Sequence, residues 1–383
     1  MTSTLTEPQH TDQLTAVSGI FDTTTGGAGV IRTDGYQPAP GDVHVPPNTV
    51  RTYGLRRGDT VQGTAARKGG RGKQPALAHV DTVNGLPPGG KRPRFDDLTP
   101  LYPEQRLRLE TTPDRITGRI IDLVSPVGKG QRGLIVAPPK TGKTMVLKEL
   151  AQAVRLNHPE ALLMVVLLDE RPEEVTDMRR SVGPGAEVLS STFDRSPKEH
   201  TALADLAVER AKRLVELGHD VVILLDSLTR LCRAYNNSAA PGGRTLSGGV
   251  DAAAVRHPKR IFGAARNTEE GGSLTILATA LVETGSRADE YYFEELKSTG
   301  NMELRLDRLL AEKRVFPAVD VAPSGTRREE LLLHEAELAV VRKLRRVLHD
   351  RDTVQALELL RDRVRQTASN AEFLRKIDLS TAA

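Results

Sequence analysis

Four long apolar runs stand between residues 133 and 281 of the chain. They are Gly133–Ala137, Leu162–Glu170, Asp220–Ser227 and Ser273–Leu281. Runs of this kind are typical of parallel strands that are buried on both faces, and stretches with a helical 3.6-residue period lie between them. The alternation predicts an α/β domain with helices on both faces of a parallel sheet, and the helical period continues through the C-terminal third.

The front of the chain has a different pattern. Between Leu14 and Val83, short β-like pieces alternate with turns rich in Gly and Pro, which predicts a small β-barrel. We therefore predict four regions in chain order. They are a disordered N-terminus (1–13), the barrel (14–86), a linker (87–119) and the α/β domain with its helical C-terminus (120–383).

Composition and charge limit the classes of function. No apolar stretch approaches membrane-spanning length and Cys232 is the single cysteine, so we expect a cytoplasmic protein with no membrane partner. The segment Arg51–Phe95 holds ten Lys or Arg residues against two Asp residues, although the whole chain carries a net charge of only +4. Such a segment favours a polyanion partner, and a solvated basic loop is the alternative.

The most specific motif is APPKTGKT at Ala137–Thr144, which follows one apolar run and opens a helical stretch. It matches the phosphate-loop pattern with Ala137 in place of the first glycine. Backbone N–H groups of such a loop wrap the phosphates, the lysine (Lys143) reaches the β- and γ-phosphates, and the hydroxyl of Thr144 is a ligand for Mg²⁺. The motif predicts ATP binding.

Acidic residues end two further apolar runs, Asp169 with Glu170 in one and Asp226 in the other. Acids at the carboxyl ends of parallel strands project into the ligand crevice. We predict that Asp226 lies on the Mg²⁺ side and that Glu170 orients and deprotonates the attacking water. Helix capping is the alternative role for these acids.

Hydrolysis also needs a cation on the phosphoryl group in the transition state. The residue pattern leaves four candidates open. They are Arg171, Arg230, Arg314 and Arg327.

Further long motifs stand between about residues 92 and 375. Among them are RPRFDDLTPLYPEQRLRLE, IIDLVSPVGKGQRGLIVAPPKTGKTM, DERPEEVTDM, VVILLDSLTRLCRAYN and AEKRVFPAVDVAPSGTRREELL. These stretches resemble the bacterial transcription termination factor Rho family. The resemblance implies a RecA-like P-loop ATPase motor preceded by an OB or cold-shock-like barrel. It also implies a homo-oligomeric, hexameric ring that uses ATP and Mg²⁺, binds single-stranded nascent RNA and acts on the RNA polymerase elongation complex.

The same resemblance assigns roles to individual residues. It implies that Glu170 is the catalytic glutamate, that Asp226 lies beside Mg²⁺, and that Arg327 acts across a subunit boundary. Nucleotide contacts are implied for Gly128, Lys129, Gly130, Gln131, Arg132, Gly133, Lys140, Thr141, Gly142, Lys143, Thr144, Met145, Arg171 and Phe316.

RNA contacts are implied in two places. The loops Pro241–Gly249 and Glu283–Arg287 would line a central pore, with Arg244, Thr284, Gly285 and Arg287 against RNA. In the barrel the remaining contacts would be Arg32, Tyr36, His44, Arg56 and Arg57.

The barrel and one motor segment also depart from the family pattern. Ala28 and Val30 stand where the family has stacking aromatics, and His44 and Gln74 take two further aromatic positions. Each base–aromatic stack contributes about 1–3 kcal/mol, so these changes predict weaker RNA capture. Ser298 replaces a glycine that the family usually has.

Two functions from different classes follow. One is an RNA-dependent ATPase that translocates on RNA and terminates transcription. The other is a divergent paralog that acts as a regulatory or ring-modulating subunit. The segments GGVDAAAV and DERPEEV argue against a third class, the rotary ATP synthase subunits, which share the core.

Overall fold

The computed structural model describes residues 14–66, 74–239, 245–246 and 249–381. It divides into two compact units, Met1–Pro93 with Asp205–Arg213, and Arg94–Ala204 with Leu214–Ala383. The predicted disorder of residues 1–13, the basic loop Arg67–Lys73 and the pore contact Arg244 lie outside the described residues.

The first unit is a closed five-stranded barrel, as the pattern of its front residues predicts. Its elements are β1 (Leu14–Thr23), β2 (Gly29–Arg32), β3 (Val43–Val45), α1 (Pro47–Tyr53), β4 (Thr60–Ala66) and β5 (Ala76–Val83). The strand order is β1-β2-β3-β5-β4, and β4 pairs with β1 to close the barrel. Alternate residues such as Phe21, Ile31, Val45 and Val61 point inwards and form its core.

The elements after residue 93 build the motor. In chain order they are β6 (Pro100–Leu101), β7 (Arg106–Leu107), α2 (Ile116–Val124), β8 (Val127–Gly128), β9 (Arg132–Ala137), α3 (Lys143–Asn157), β10 (Leu162–Glu170), α4 (Pro172–Val182), β11 (Glu187–Thr192), α5 (Pro197–Val215), β12 (Asp220–Asp226), α6 (Leu228–Ser238), β13 (Thr245–Leu246), β14 (Val250–Asp251), α7 (Ala252–Gly263), β15 (Arg266–Thr268), β16 (Ser273–Leu281), α8 (Arg287–Lys297), β17 (Met302–Leu306), α9 (Arg308–Glu312), β18 (Val319–Thr326), α10 (Glu335–His349), α11 (Thr353–Arg365) and α12 (Asn370–Thr381).

The main sheet has the order β11-β10-β12-β16-β9-β17-β18 and is parallel from β11 to β17. The four predicted strands are confirmed as β9, β10, β12 and β16. Strand β10 shows why they are apolar throughout. Its residues Leu163, Val165 and Leu167 join the core under α2, α3 and α4, whereas the alternate residues Met164 and Val166 are buried on the other face.

The predicted linker is too long. From Arg94 to Ala204 the chain belongs to the motor unit, where Phe95, Leu98, Leu107 and Leu109 are buried. Strand β6 pairs with β15, and β7 pairs with β8. These strands have only two residues each, so no hydrophobic period marks them in the sequence. None of the helices in the described ranges is long and apolar enough to span a membrane.

Candidate nucleotide site and RNA-facing segments

The phosphate loop lies between the end of β9 at Ala137 and the start of α3 at Lys143. Lys140 and Gly142 have positive φ angles of 68° and 87°, which turn the chain from strand to helix. The Thr141 hydroxyl donates to the Pro138 carbonyl at 2.8 Å and fixes the loop. The loop therefore ends on the amino end of a 15-residue helix, where unpaired N–H groups and the helix dipole favour an anion.

Lys143 contacts both predicted acids. Its Nζ lies 2.5 and 2.6 Å from the two carboxylate oxygens of Asp226 and 3.1 Å from Oε1 of Glu170. The Thr279 hydroxyl, on the strand between β12 and β9, donates to Asp226 at 2.7 Å. Both acids are almost fully buried. The sheet thus brings the loop lysine, Glu170 and Asp226 together at its carboxyl edge.

Of the four open arginines, only Arg230 is bonded to these acids within the described chain. Its Nη1 lies 2.6 Å from Oε1 of Glu170 and donates to the Asp169 carbonyl at 2.7 Å. Burial alone would raise the pKa of Glu170, but the charges of Lys143 and Arg230 outweigh it and hold that pKa below its usual value. Glu170 is therefore ionised at neutral pH.

Four other predicted nucleotide contacts flank the phosphate loop or the end of β10. Thr144 is half-buried in the first turn of α3, next to the exposed Met145, and Arg171 is exposed at the amino cap of α4. Phe316 is 42% exposed, and a Cβ built on Gly142 would lie 3.6 Å from its ring. The aromatic ring is therefore beside the loop, in reach of a bound nucleotide.

Arg327 lies at the opposite edge of the sheet. It follows Thr326, which pairs with Met302, and Met302 in turn pairs with Gly133 at the start of β9. The phosphate loop follows the other end of β9, and a six-residue strand is roughly 20 Å long. Arg327 is exposed and is not part of the nucleotide site of its own chain.

The loop Glu283–Arg287 is tied to helix α6, which starts just after Asp226. The Thr284 hydroxyl donates to Asp289 at 2.5 Å, and the guanidinium of Arg233 binds the same carboxylate, with Nε at 2.9 Å. Arg233 is one helical turn beyond Arg230, so both side chains leave the same face of α6. Gly285 and Arg287 are exposed on the loop. Sequence reasoning missed Arg233 and Asp289; the three-residue spacing from Arg230 was the one signal in the sequence.

The barrel holds its predicted RNA residues in two kinds of environment. His44 on β3 is exposed and pairs with Val30 on β2 and with Ala76 on β5, and Val30 is buried. The arginines are engaged with carboxylates or carbonyls. Arg32 pairs with Asp42 at 2.7 Å and with Asp22 at 3.3 Å, Arg57 pairs with Asp22 at 2.8 Å, and Arg56 donates to the Pro93 carbonyl at 2.9 Å.

Two family models match the chain. The Rho termination factor RNA-binding domain covers residues 17–89, which is the barrel, and the nucleotide-binding domain of the ATP synthase alpha/beta family covers residues 118–326. A transcription termination factor Rho from Streptomyces coelicolor is 63% identical over 98% of this chain and 89% of its own length. One from Streptosporangium roseum is 59% identical over 98% of this chain and 95% of its own length.

The chain belongs to the transcription termination factor Rho family. It is thus an ATP-hydrolysing enzyme with an RNA-binding barrel. Some relatives of the same name are longer, and the chain spans 54% of the protein from Streptomyces lividans and 63% of that from Mycobacterium tuberculosis strain H37Rv.

Solved structures are similar to the chain in fold. A prototypical ATPase from the type III secretion system of pathogenic bacteria is 21% identical, with a TM-score of 0.62 over 82% of this chain and 94% of its own. An assembled ATPase from the type III secretion system of enteropathogenic E. coli is 17% identical, with a TM-score of 0.62 over 96% and 98%. These similarities support the RecA-like motor fold.

One set of nucleotide contacts implied by the Rho resemblance lies away from the phosphate loop of its own chain. The segment Gly128–Gly133 precedes β9 or opens it, so it lies at the amino edge of the sheet, and Lys129 binds Asp220 at the start of β12 at 2.6 Å. The segment therefore does not reach the phosphate loop of its own chain. Its glycines serve close packing instead, because a Cβ on Gly130 would lie 2.2 Å from the Asn267 nitrogen.

Tyr36, which the resemblance made an RNA contact, is only 7% exposed, so its ring does not present a stacking face to solvent. Because Ala28 and Val30 are also not aromatic, we expect phosphate contacts to be the main source of RNA affinity in the barrel. The contacts from Arg32 and Arg57 must compete with Asp22 for the same guanidinium groups.

We expect Asp22→Asn to strengthen RNA binding by the full chain without ATP. A close charge–charge interaction in a water-like dielectric is worth about 1 kcal/mol, so removing the negative charge beside the two arginines should lower the Kd for RNA roughly fivefold. The salt dependence should also become steeper, by about 0.7 in log–log slope for each additional phosphate that the protein neutralises on a single strand. Fluorescence anisotropy with a labelled polypyrimidine RNA over a salt series measures both quantities.

The matched control is Asp34→Asn, which removes an exposed acid from the same unit. It should change the affinity by less than Asp22→Asn does. Weaker RNA binding by Asp22→Asn would mean that this carboxylate orients the arginines for RNA rather than competing with it.

Proposed function

We propose that the chain is an RNA-dependent ATPase that forms a hexameric ring, translocates on single-stranded RNA and terminates transcription at the RNA polymerase elongation complex. One observation carries the proposal. Lys143, Glu170, Asp226 and Arg230 converge at one edge of the sheet, while Arg327 is exposed at the other. A single chain does not bring Arg327 to its own site, and a ring of chains would supply it at each boundary.

The contacts of Lys143 support a sequence of events at the site. Without nucleotide, the Lys143 ammonium neutralises Glu170 and Asp226. ATP phosphates on the loop draw Lys143 away from both carboxylates. Burial then raises the pKa of Glu170, which makes it a stronger base for the attacking water while Arg230 holds its position.

Mg²⁺ fits the donor set that Lys143 leaves behind. One hydroxyl (Thr144) and one carboxylate (Asp226) are typical for an ion that takes few protein oxygens together with substrate phosphates. The described residues contain no group of three acids, histidines or cysteines that could hold a metal alone. Mg²⁺ bound there would neutralise charge on the β- and γ-phosphates.

Helix α6 supports coupling between RNA and hydrolysis. RNA phosphates against Arg287 and Gly285 would shift the loop that Thr284 ties to Asp289. Asp289 holds Arg233, and Arg230 on the same helix face holds Glu170. A displacement of α6 by RNA therefore changes the position of the base. A factor with this substrate acts in the cytoplasm, where nascent RNA is made.

The test is steady-state ATP hydrolysis by the full chain with and without polypyrimidine RNA. We expect RNA to stimulate turnover and Arg287→Gln to reduce the stimulation, whereas Arg375→Gln on the exposed surface of α12 should not. Nucleotide binding without RNA-stimulated turnover would contradict the proposal and favour the regulatory or ring-modulating subunit.

A further inference from the structure

Three arginines from separate elements meet at the amino edge of the sheet. Arg132 opens β9, Arg266 opens β15, and Arg327 follows β18. Arg132 Nη1 donates to the carbonyl of Ala265, the residue before Arg266, at 3.0 Å. Asn301 joins two of these segments. The backbone N–H of Arg132 donates to the side-chain oxygen of Asn301 at 2.9 Å, and the backbone N–H of Arg327 donates to the Asn301 carbonyl at 2.9 Å.

None of the three arginines forms an ion pair with a carboxylate in the part of the chain that the structure describes. Arg132 donates to the carbonyls of Ala265 and Thr299, and Arg266 donates to the Ala264 carbonyl and lies 4.8 Å above the Phe95 ring. Burial, followed by the charges of Arg266 and Arg327, holds the pKa of Arg132 below its usual value. Like charges held together in this way favour an anion from another molecule.

The neighbouring Arg328 shows the contrast. Its Nε lies 2.5 Å from Glu330, and its guanidinium lies 5.0 Å above the Tyr102 ring. Of these two consecutive arginines, only Arg328 is neutralised by a carboxylate among the residues that the structure describes. A cavity of about 290 Å³ opens beside Arg327, with Lys297, Asn301, Glu303 and Thr326 in its wall, and is large enough for a phosphate group.

We propose that Arg132 and Arg266 form, together with Arg327, a phosphate site for the β- and γ-phosphates of ATP that is held on the phosphate loop of a neighbouring chain. The proposal rests on the ring of the proposed function. It adds Arg266 to the residues that the resemblance implied, and it assigns Arg132, which the resemblance implied as a nucleotide contact, to the nucleotide of a neighbouring chain. A nucleoside triphosphate is the anion that fits best, because its terminal phosphates concentrate several negative charges, and the three guanidinium groups lie near enough to one another for their charges to interact. The phosphate loop of the same chain lies at the other end of β9, so the site would act on a neighbouring chain.

Arg266→Gln tests the site with the least disturbance of the fold, since Arg266 makes fewer hydrogen bonds than Arg132. With saturating RNA we expect kcat to fall by about ten- to a hundredfold, the range of one charge-assisted hydrogen bond. ADP affinity should stay unchanged, because the variant keeps its own loop, whereas the affinity for ADP with aluminium fluoride should fall. Arg266→Lys should restore part of kcat, and Arg328→Gln is the matched control with less than a twofold effect.

Mixing separates action on a neighbour from action within the chain. Arg266→Gln subunits mixed with Lys143→Ala subunits should regain turnover, because hybrid boundaries join an intact loop to three intact arginines. Unchanged kcat in Arg266→Gln, or no recovery on mixing, would overturn the proposal, and so would a loss of RNA affinity with kcat intact, which would make this an RNA site. Failure of the wild-type chain to hydrolyse ATP would instead overturn the proposed function.

Discussion

Lys143→Ala should abolish ATP turnover, with a fall of at least about a thousandfold in RNA-stimulated hydrolysis. The ammonium group is the cation of the phosphate loop, and charge stabilisation of the transferred phosphoryl group is worth roughly a thousandfold or more. In the structure its Nζ is already within 2.6 Å of both Asp226 oxygens, at the edge where the loop meets the acids. Phosphate release from ATP at saturating RNA is the measurement.

The same substitution should also change stability, because it leaves Glu170 and Asp226 buried with only Arg230 and Thr279 as side-chain partners within the described ranges. We expect a loss of about 1–3 kcal/mol in the free energy of unfolding at pH 8. In the variant, Glu170 loses the Lys143 charge that opposed the effect of burial, so its pKa rises and the folded state takes up protons more readily than the wild-type protein does. The loss must therefore shrink as the pH falls towards 5.

Lys148→Ala is the matched control for both effects. Lys148 lies on the same helix and pairs with Asp177, which is largely exposed. Its loss removes an ion pair without leaving a buried carboxylate, so turnover should survive and any destabilisation should not depend on pH in this way. Turnover by folded Lys143→Ala within tenfold of wild type would refute the assignment of the loop.

The sequence predicts those site residues that lie at the ends of strands. Lys143 follows β9, and Glu170 and Asp226 end β10 and β12, so a parallel sheet has to bring them to one edge. The hydrophobic pattern does not determine the order of the strands. Thr279, which bonds Asp226, lies on β16 between them and carries no motif of its own.

The features that sequence reasoning missed depend on contacts between distant segments. The basic excess of the barrel suggested free phosphate contacts, but Arg32 and Arg57 share Asp22, which is at least ten residues away in sequence. The segment Gly128–Gly133 has the glycines of a ligand loop, yet those glycines admit the neighbouring backbone. In both cases the residue type suited binding. The glycine segment lies at the start of its strand, away from the phosphate loop, and the two arginines already pair with a carboxylate.

Arg327→Ala should lower RNA-stimulated turnover by about a thousand- to a hundred-thousandfold, the contribution of an arginine finger to phosphoryl transfer. We expect the effect at the site of a neighbouring chain, because Thr326, the residue before Arg327, pairs with Met302 at the edge of the sheet opposite the phosphate loop. The variant keeps Lys143, Glu170 and Asp226, so its own site should still bind ATP. Turnover and nucleotide binding, measured on the same preparation, separate these two expectations.

Mixing Arg327→Ala with Glu170→Gln subunits decides whether the arginine serves another chain. Each variant alone has every boundary defective, but a hybrid boundary joins the intact Glu170 of one subunit to the intact Arg327 of its neighbour. Activity should therefore appear on mixing and depend on the ratio of the two subunits. Arg328→Ala is the control, because Glu330 already neutralises that arginine within the chain. If Arg327→Ala retained full turnover, or if hybrids stayed inactive while both variants assembled, Arg327 would have no role at a neighbouring site.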